Sequence, residues 1–179
     1  DFYFCTHPNI FKCSYKDRKI MLDTGINNRF TVFLGGTCND SKWRDKLIPM
    51  LHIKYFNPVV DDWNEEAQKR EINERLYDDF LLYTITPKMI GVYSIAEVVE
   101  DSIKHSDRTV LCLLPEDDEV KFTYPQWKSL VQVAKMVYEN GAVVFSSLEN
   151  VANYLNSNYN ERNNIRYDGC VNNVDGNIE

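Results

Sequence analysis

With 27 acidic against 20 basic residues in 179, a formal charge of −7 and no Lys/Arg-rich block, the chain would repel a phosphate backbone, and no nucleic-acid polymer is expected as a partner. A composition that is 44% hydrophobic, 13% aromatic and 26% charged suits one globular domain with a substantial core. No apolar run approaches the roughly 18 to 20 residues that span a bilayer and no signal-peptide core is visible, so no membrane partner is expected.

Cys5, Cys13, Cys38, Cys112 and Cys170 include no C-x-x-C pair, and an odd count leaves one unpaired, which points to a reducing, cytoplasmic setting. Cys5, His7 and Cys13 lack a convincing fourth ligand, so no metal site is expected there. His7, His52 and His105 are too dispersed to suggest a Ser/His/Asp or Cys/His pair.

Residues 1–29 mix aromatic and polar side chains without helical periodicity and read as an N-terminal arm or hairpin. From Phe30 the pattern becomes one of strands alternating with helices, the signature of a mainly parallel sheet covered on both faces. FTVFLGG is the first strand, ending at Gly35-Gly36. A helix over 41–51 follows, with Pro49 bending or shortening its end. IKYFNPVV is a short second strand that delivers Asp61-Asp62-Trp63 into the next turn. Asp62 and Glu65 fit a capping box for the charged, largely solvated helix NEEAQKREINERLY.

FLLYTIT is a central third strand, and a helix from Ser94 to His105 follows the loop PKMIGVY. TVLCLL is the fourth strand, with the acidic loop PEDDEV after it. A helix over 125–139 stops at Asn140-Gly141, AVVF is the fifth strand, and SLENVANYL is a last amphipathic helix. The domain so defined spans 30–156. The asparagine-rich stretch 157–179 has few apolar residues and reads as a polar, flexible tail.

Five strands joined by right-handed crossovers predict an α/β fold, a flavodoxin-like doubly wound parallel sheet of order 2-1-3-4-5 with helices on both faces. Ligands of such sheets bind beyond the carboxyl ends of the strands, at the switch point between the first and third. Gly35-Gly36-Thr37, the segment from Asn57 to Trp63 and the segment from Met89 to Glu97, which includes Tyr93 and Ser94, converge there.

Several residues in these segments have a structural reading beside a chemical one. FLGGT is either a tight strand-to-helix turn or a close approach to a sugar or phosphate. Asp62 can cap a helix, whereas Asp61 has no comparable structural role; either can bind sugar hydroxyls or handle protons. Trp43 and Trp63 are core residues or base-stacking platforms, and Cys38 is an incidental thiol rather than a nucleophile. Asp78 and Asp79, at the amino end of the third strand, are structural or solvated.

Glu97 divides the readings most sharply. Ser94-Ile95-Ala96-Glu97 fits a capping box, and helical periodicity puts Glu97 opposite the apolar face. First-turn side chains, however, lean toward the helix N-terminus, which would aim Glu97 over the crevice. Periodicity alone favours the cap.

VFLGGTCNDSKWRDKLI, FNPVVDDWNEE, LYTITPKMIGVYSIAEVVEDS, RTVLCLL and NGAVVFSSLENVANYL, taken in order over about 31–156, resemble the nucleoside 2-deoxyribosyltransferase-like family, especially its short bacterial and phage members. The resemblance implies a small-molecule nucleoside or nucleotide as partner, a homo-oligomer, and neither metal nor organic cofactor. It assigns Glu97, by position in ITPKMIGVYSIAE, as the nucleophile that displaces the base and holds the sugar as a glycosyl-enzyme. A second base or water then takes the sugar.

Asp61 or Asp62 would contact sugar or base, with Gly35, Gly36 and Thr37 lining the sugar or a 5′-phosphate, and Trp43, Asn57, Trp63, Tyr93 and Ser94 completing the site. The better-known transferases carry an acid in the loop before the nucleophile, whereas Met89-Ile90-Gly91-Val92-Tyr93-Ser94 has none, which leaves the proton donor unassigned. Two alternatives accompany this reading: a nucleotide-binding module without turnover, and a glycohydrolase of a nucleotide cofactor such as NAD.

Overall fold

A computed structural model describes residues 30–38, 40–60 and 64–158. Strands β1 (Thr31–Gly36), β2 (Lys54–Phe56), β3 (Phe80–Ile85), β4 (Thr109–Leu113) and β7 (Val143–Phe145) form one parallel sheet of order β2-β1-β3-β4-β7. Since β7 is the fifth strand of that sheet, this is the expected flavodoxin-like order. The loop expected at PEDDEV instead folds as a small antiparallel hairpin, β5 (Glu116–Asp117) and β6 (Val120–Lys121), with Asp118 at a φ of 54° in its turn.

The helices are α1 (Trp43–Leu47), α2 (Glu65–Tyr77), α3 (Tyr93–Lys104), α4 (Tyr124–Glu139) and α5 over 148–158. Among the described residues no helix is long and apolar enough to cross a membrane.

Alternation along β1 and β3 divides the core into two layers. Val32, Leu34, Phe80 and Leu82 face Trp43, Leu47, Val151 and Leu155; Phe33, Leu81, Tyr83 and Ile85 face Val98, Leu130 and Val137. Burial on both sides explains why these strands read as unbroken apolar runs. Each fully buried Leu or Phe contributes about 1.5–3 kcal/mol of transfer free energy.

Three helices differ from expectation, α1 at its end and α2 and α3 at their caps. α1 is shorter than expected, because Ile48–Met50 tightens into a 3-10 turn with Pro49 near its start. α2 is capped by Asn64, whose extended backbone lets its side-chain oxygen accept from the Glu66 and Ala67 amides at 3.0 Å each; the Asp62–Glu65 capping box is corrected accordingly. α3 begins at Tyr93 rather than Ser94, with Val92 as an N-cap that makes no side-chain bond, so the Ser94–Glu97 box does not form. Starting one residue early moves Ser94 inside the first turn and frees Glu97 for other partners.

Asp78 and Asp79 close the amino end of β3, where both are buried rather than solvated. Asp79 Oδ2 accepts from the Thr31 amide at 3.1 Å, and Arg108 Nη1 donates to the Asp78 carbonyl at 2.6 Å. Asp78 Oδ2 has no hydrogen-bond partner among the described residues. Burial, then the neighbouring Glu74 and Asp79, push its carboxyl up to about 8 against the pull of Arg108.

A folded-state value above the ordinary 3.8 means the folded protein binds more protons than the unfolded chain between those pH values. The Asp78 contribution to stability therefore declines as pH rises from about 4 to about 8. Asp78→Asn is expected to raise stability at pH 8 by on the order of 1–3 kcal/mol and to leave it nearly unchanged at pH 4. Thermal melts at the two pH values check this, and equal midpoints at pH 8 contradict it.

Candidate active site

The carboxyl ends of β1 and β2 and the start of α3 enclose a cavity of about 270 Å³ at the switch point. Gly36, Cys38 and Arg44 line it from the β1 side, Pro58, Val59 and Val60 from the segment after β2, Glu71 from α2, and Tyr93, Ser94 and Glu97 from α3. The Asn57 side chain accepts from the Val59 amide at 3.2 Å, a short turn that shapes the loop after β2. Asn57 thus acts here through the loop it folds. The expected contributions of Asp61, Asp62 and Trp63 lie outside the described residues.

The β1 turn is a backbone device. Gly36 has a φ of +115°, and a Cβ there would stand 2.1 Å from the Thr84 carbonyl oxygen, so β1 and β3 approach as closely as they do only with glycine. A Cβ on Gly35 would meet the Phe33 and Tyr83 rings, which makes that glycine a packing residue.

Thr37 is buried as a knot between loops. Its amide donates to the Thr84 carbonyl at 2.8 Å, and its hydroxyl accepts from the Thr86 amide at 2.9 Å. Its carbonyl accepts from Trp43 Nε1 at 2.7 Å and Arg44 Nη1 at 2.8 Å. Trp43 is fully buried in the core layer, so of its two readings the core one holds, and its expected place among the substrate contacts is corrected to a structural role.

Arg44 went unnoticed in the sequence. It is 6% exposed, donates to the Leu34 carbonyl through Nε (3.1 Å) and Nη2 (2.8 Å), and braces the β1 turn from the cavity wall. Burial lowers its pKa, while Cys38, Glu71 and Asp45 oppose that shift.

Glu97 is 5% exposed, although periodicity placed it on a polar surface. Its Oε1 accepts from Arg75 Nη1 at 2.7 Å. Arg75 also donates to Asp101 Oδ2 from Nη2 at 2.9 Å and from Nε at 3.3 Å, and the Tyr83 hydroxyl donates to the same oxygen at 2.5 Å.

Burial pushes the Glu97 carboxyl up to about 7; Arg75 pulls it down, and Glu71, Asp101 and Glu100 push it further up. Desolvation thus outweighs the ion pair. Burial also opposes the charge on Arg75, yet Tyr83, Asp101 and Glu97 more than offset it and its pKa is raised.

Glu71, Arg75, Asp101 and Tyr83 had not been singled out from the sequence. A signal was present: Glu71 and Arg75 are four residues apart on α2, as Glu97 and Asp101 are on α3, so each pair shares a helix face. α2 buries no residue fully, and the α2 side of the site is polar. Chemically, the site offers an ionisable carboxylate at a cavity wall, a second carboxylate on the same cavity, and a cation that fixes the first.

A doubly wound α/β protein with a carboxylate-lined cavity at its switch point is what the fold and site define. The family model for nucleoside 2-deoxyribosyltransferase-like proteins matches residues 29–113, the segment that runs from before β1 through β4 and carries every lining residue of the cavity. Over these residues the chain is similar to the nucleoside 2-deoxyribosyltransferase-like family. No curated protein matches the chain.

Proposed function

We propose that the protein cleaves or exchanges the N-glycosidic bond of a (deoxy)nucleoside or nucleoside monophosphate, with Glu97 as the nucleophile. The observation that carries this reading is Glu97 itself, a buried carboxylate on the wall of the switch-point cavity, oriented through one oxygen by Arg75. Departure of a base leaves an oxocarbenium-like sugar, which an anionic carboxylate stabilises and traps as a glycosyl-enzyme. A second base or water then takes the sugar. Glu71, on the same cavity, supplies the acid that the loop before α3 lacks and takes the role of proton donor to the departing base, with Asp61 or Asp62 contacting sugar or base. Tyr93 and Ser94 stand beside Glu97 on the wall, and Gly36 lines the sugar.

The nucleophile must be ionised to attack, and its carboxyl is held up to about 7. kcat/KM for base release is therefore expected to rise about tenfold per pH unit below about pH 7 and to level above it. The experiment is a panel of deoxynucleosides, ribonucleosides, their monophosphates and NAD, with and without free acceptor base, followed by chromatography across pH. Release or exchange of base supports the proposal. Saturable binding with no release over hours selects a binding module instead, and release from NAD alone selects a cofactor glycohydrolase.

A further inference from the structure

Arg75 is not a lining residue of the cavity, yet it grips the carboxylate that borders it. One edge of its guanidinium meets Glu97 Oε1 at 2.7 Å, and the other meets Asp101 Oδ2 at 2.9 and 3.3 Å, where Tyr83 O–H also donates at 2.5 Å. The Arg75, Glu97 and Asp101 side chains are 15%, 6% and 7% exposed, and they stand on α2 and α3 while Tyr83 stands on β3. Among the described residues, no hydrogen bond reaches Glu97 Oε2.

Building on the glycosyl-transfer reading above, we propose that Arg75 is a positioning residue that leaves Glu97 Oε2 as the attacking oxygen and assists release of the sugar from Glu97. Asp101 and Tyr83 hold the guanidinium for that task. In the first step a bond forms between Oε2 and the anomeric carbon as the bond to the base nitrogen breaks; its electron pair leaves with the base, which takes up a proton. Oε1 becomes the ester carbonyl oxygen and still accepts from Nη1. Charge supports the assignment: Glu97 and Asp101 hold the guanidinium at 2.7 and 2.9 Å while the half-exposed Glu100 stands 3.9 Å away, so esterification of Glu97 removes one of the two close carboxylates and leaves Arg75 against Asp101 and the looser Glu100.

In the second step water or an acceptor base attacks the anomeric carbon and loses a proton. The bond to Oε2 breaks and its pair returns to Glu97, where the reappearing charge meets Arg75. Without Arg75 the carboxylate is more basic and a poorer leaving group, so the second step suffers more than the first.

The test is intact-protein mass after acid quench of wild type, Arg75→Gln, Arg75→Lys and Asp101→Asn mixed with a deoxynucleoside that wild type turns over. Arg75→Gln is expected to slow turnover by about 100-fold and to accumulate protein carrying the sugar mass. Arg75→Lys should restore part of the rate, and Asp101→Asn should show a milder accumulation. Asp101→Asn carries the test alone if Arg75→Gln does not fold. Wild-type turnover in both variants, or slowed turnover with no adduct in either, overturns the assignment of Arg75. No base release by wild type overturns the glycosyl-transfer reading itself, which is a separate outcome.

Discussion

Glu97→Gln is expected to release base from a deoxynucleoside about 10⁴-fold more slowly than wild type, or not at all. The substitution keeps the shape of the side chain and an oxygen able to accept from Arg75 Nη1, but it removes the anionic oxygen that would bond to the anomeric carbon. The folded state should survive, because Arg75 retains Asp101 and its neighbour Tyr83 retains the same oxygen. Thermal midpoint and far-UV dichroism therefore separate loss of chemistry from loss of fold. Base release at the wild-type rate by a folded Glu97→Gln protein removes Glu97 from the nucleophile role.

The largest effect on stability is expected at Gly36→Ala, which should cost at least about 4 kcal/mol and lower the thermal midpoint by about 10 °C. Two strains add at this position. The φ of +115° disfavours any L side chain, and the new Cβ would stand 2.1 Å from the Thr84 carbonyl oxygen and 2.6 Å from its nitrogen. Both obstacles are backbone of the central strand β3, which cannot move without breaking its pairing with β1 and β4. A melt within about 1 kcal/mol of wild type would show that the turn tolerates a different conformation.

The sheet was legible because parallel strands buried on both faces advertise themselves as apolar runs, and β1, β3 and β4 are all of that kind. Strand order followed from the alternation of elements and the handedness of crossovers, which in turn placed the crevice. The residues of the site were less legible, because periodicity treats a charged side chain as an exposed one. Glu97, Asp101, Arg44 and Arg75 defeat that rule: each has its charge compensated by carbonyls or by one another, so it is buried to a degree that sequence alone does not reveal.

Two local choices also turned on a single residue. Asn64 rather than Asp62 caps α2, and Val92 rather than Ser94 precedes α3; that second shift converts an apparent capping glutamate into a cavity residue. Trp43 followed the ordinary rule for a large apolar side chain next to a helix start and went into the core.

The central claim, that Glu97 carries the sugar, is tested most directly by rapid-quench peptide mapping. Protein mixed with a deoxynucleoside is denatured in acid within a turnover, digested, and searched by mass spectrometry for the sugar mass. The account predicts the added mass on the peptide containing Glu97, localised to that residue by fragmentation and absent from Glu97→Gln. Base release with the sugar found on another residue would contradict it.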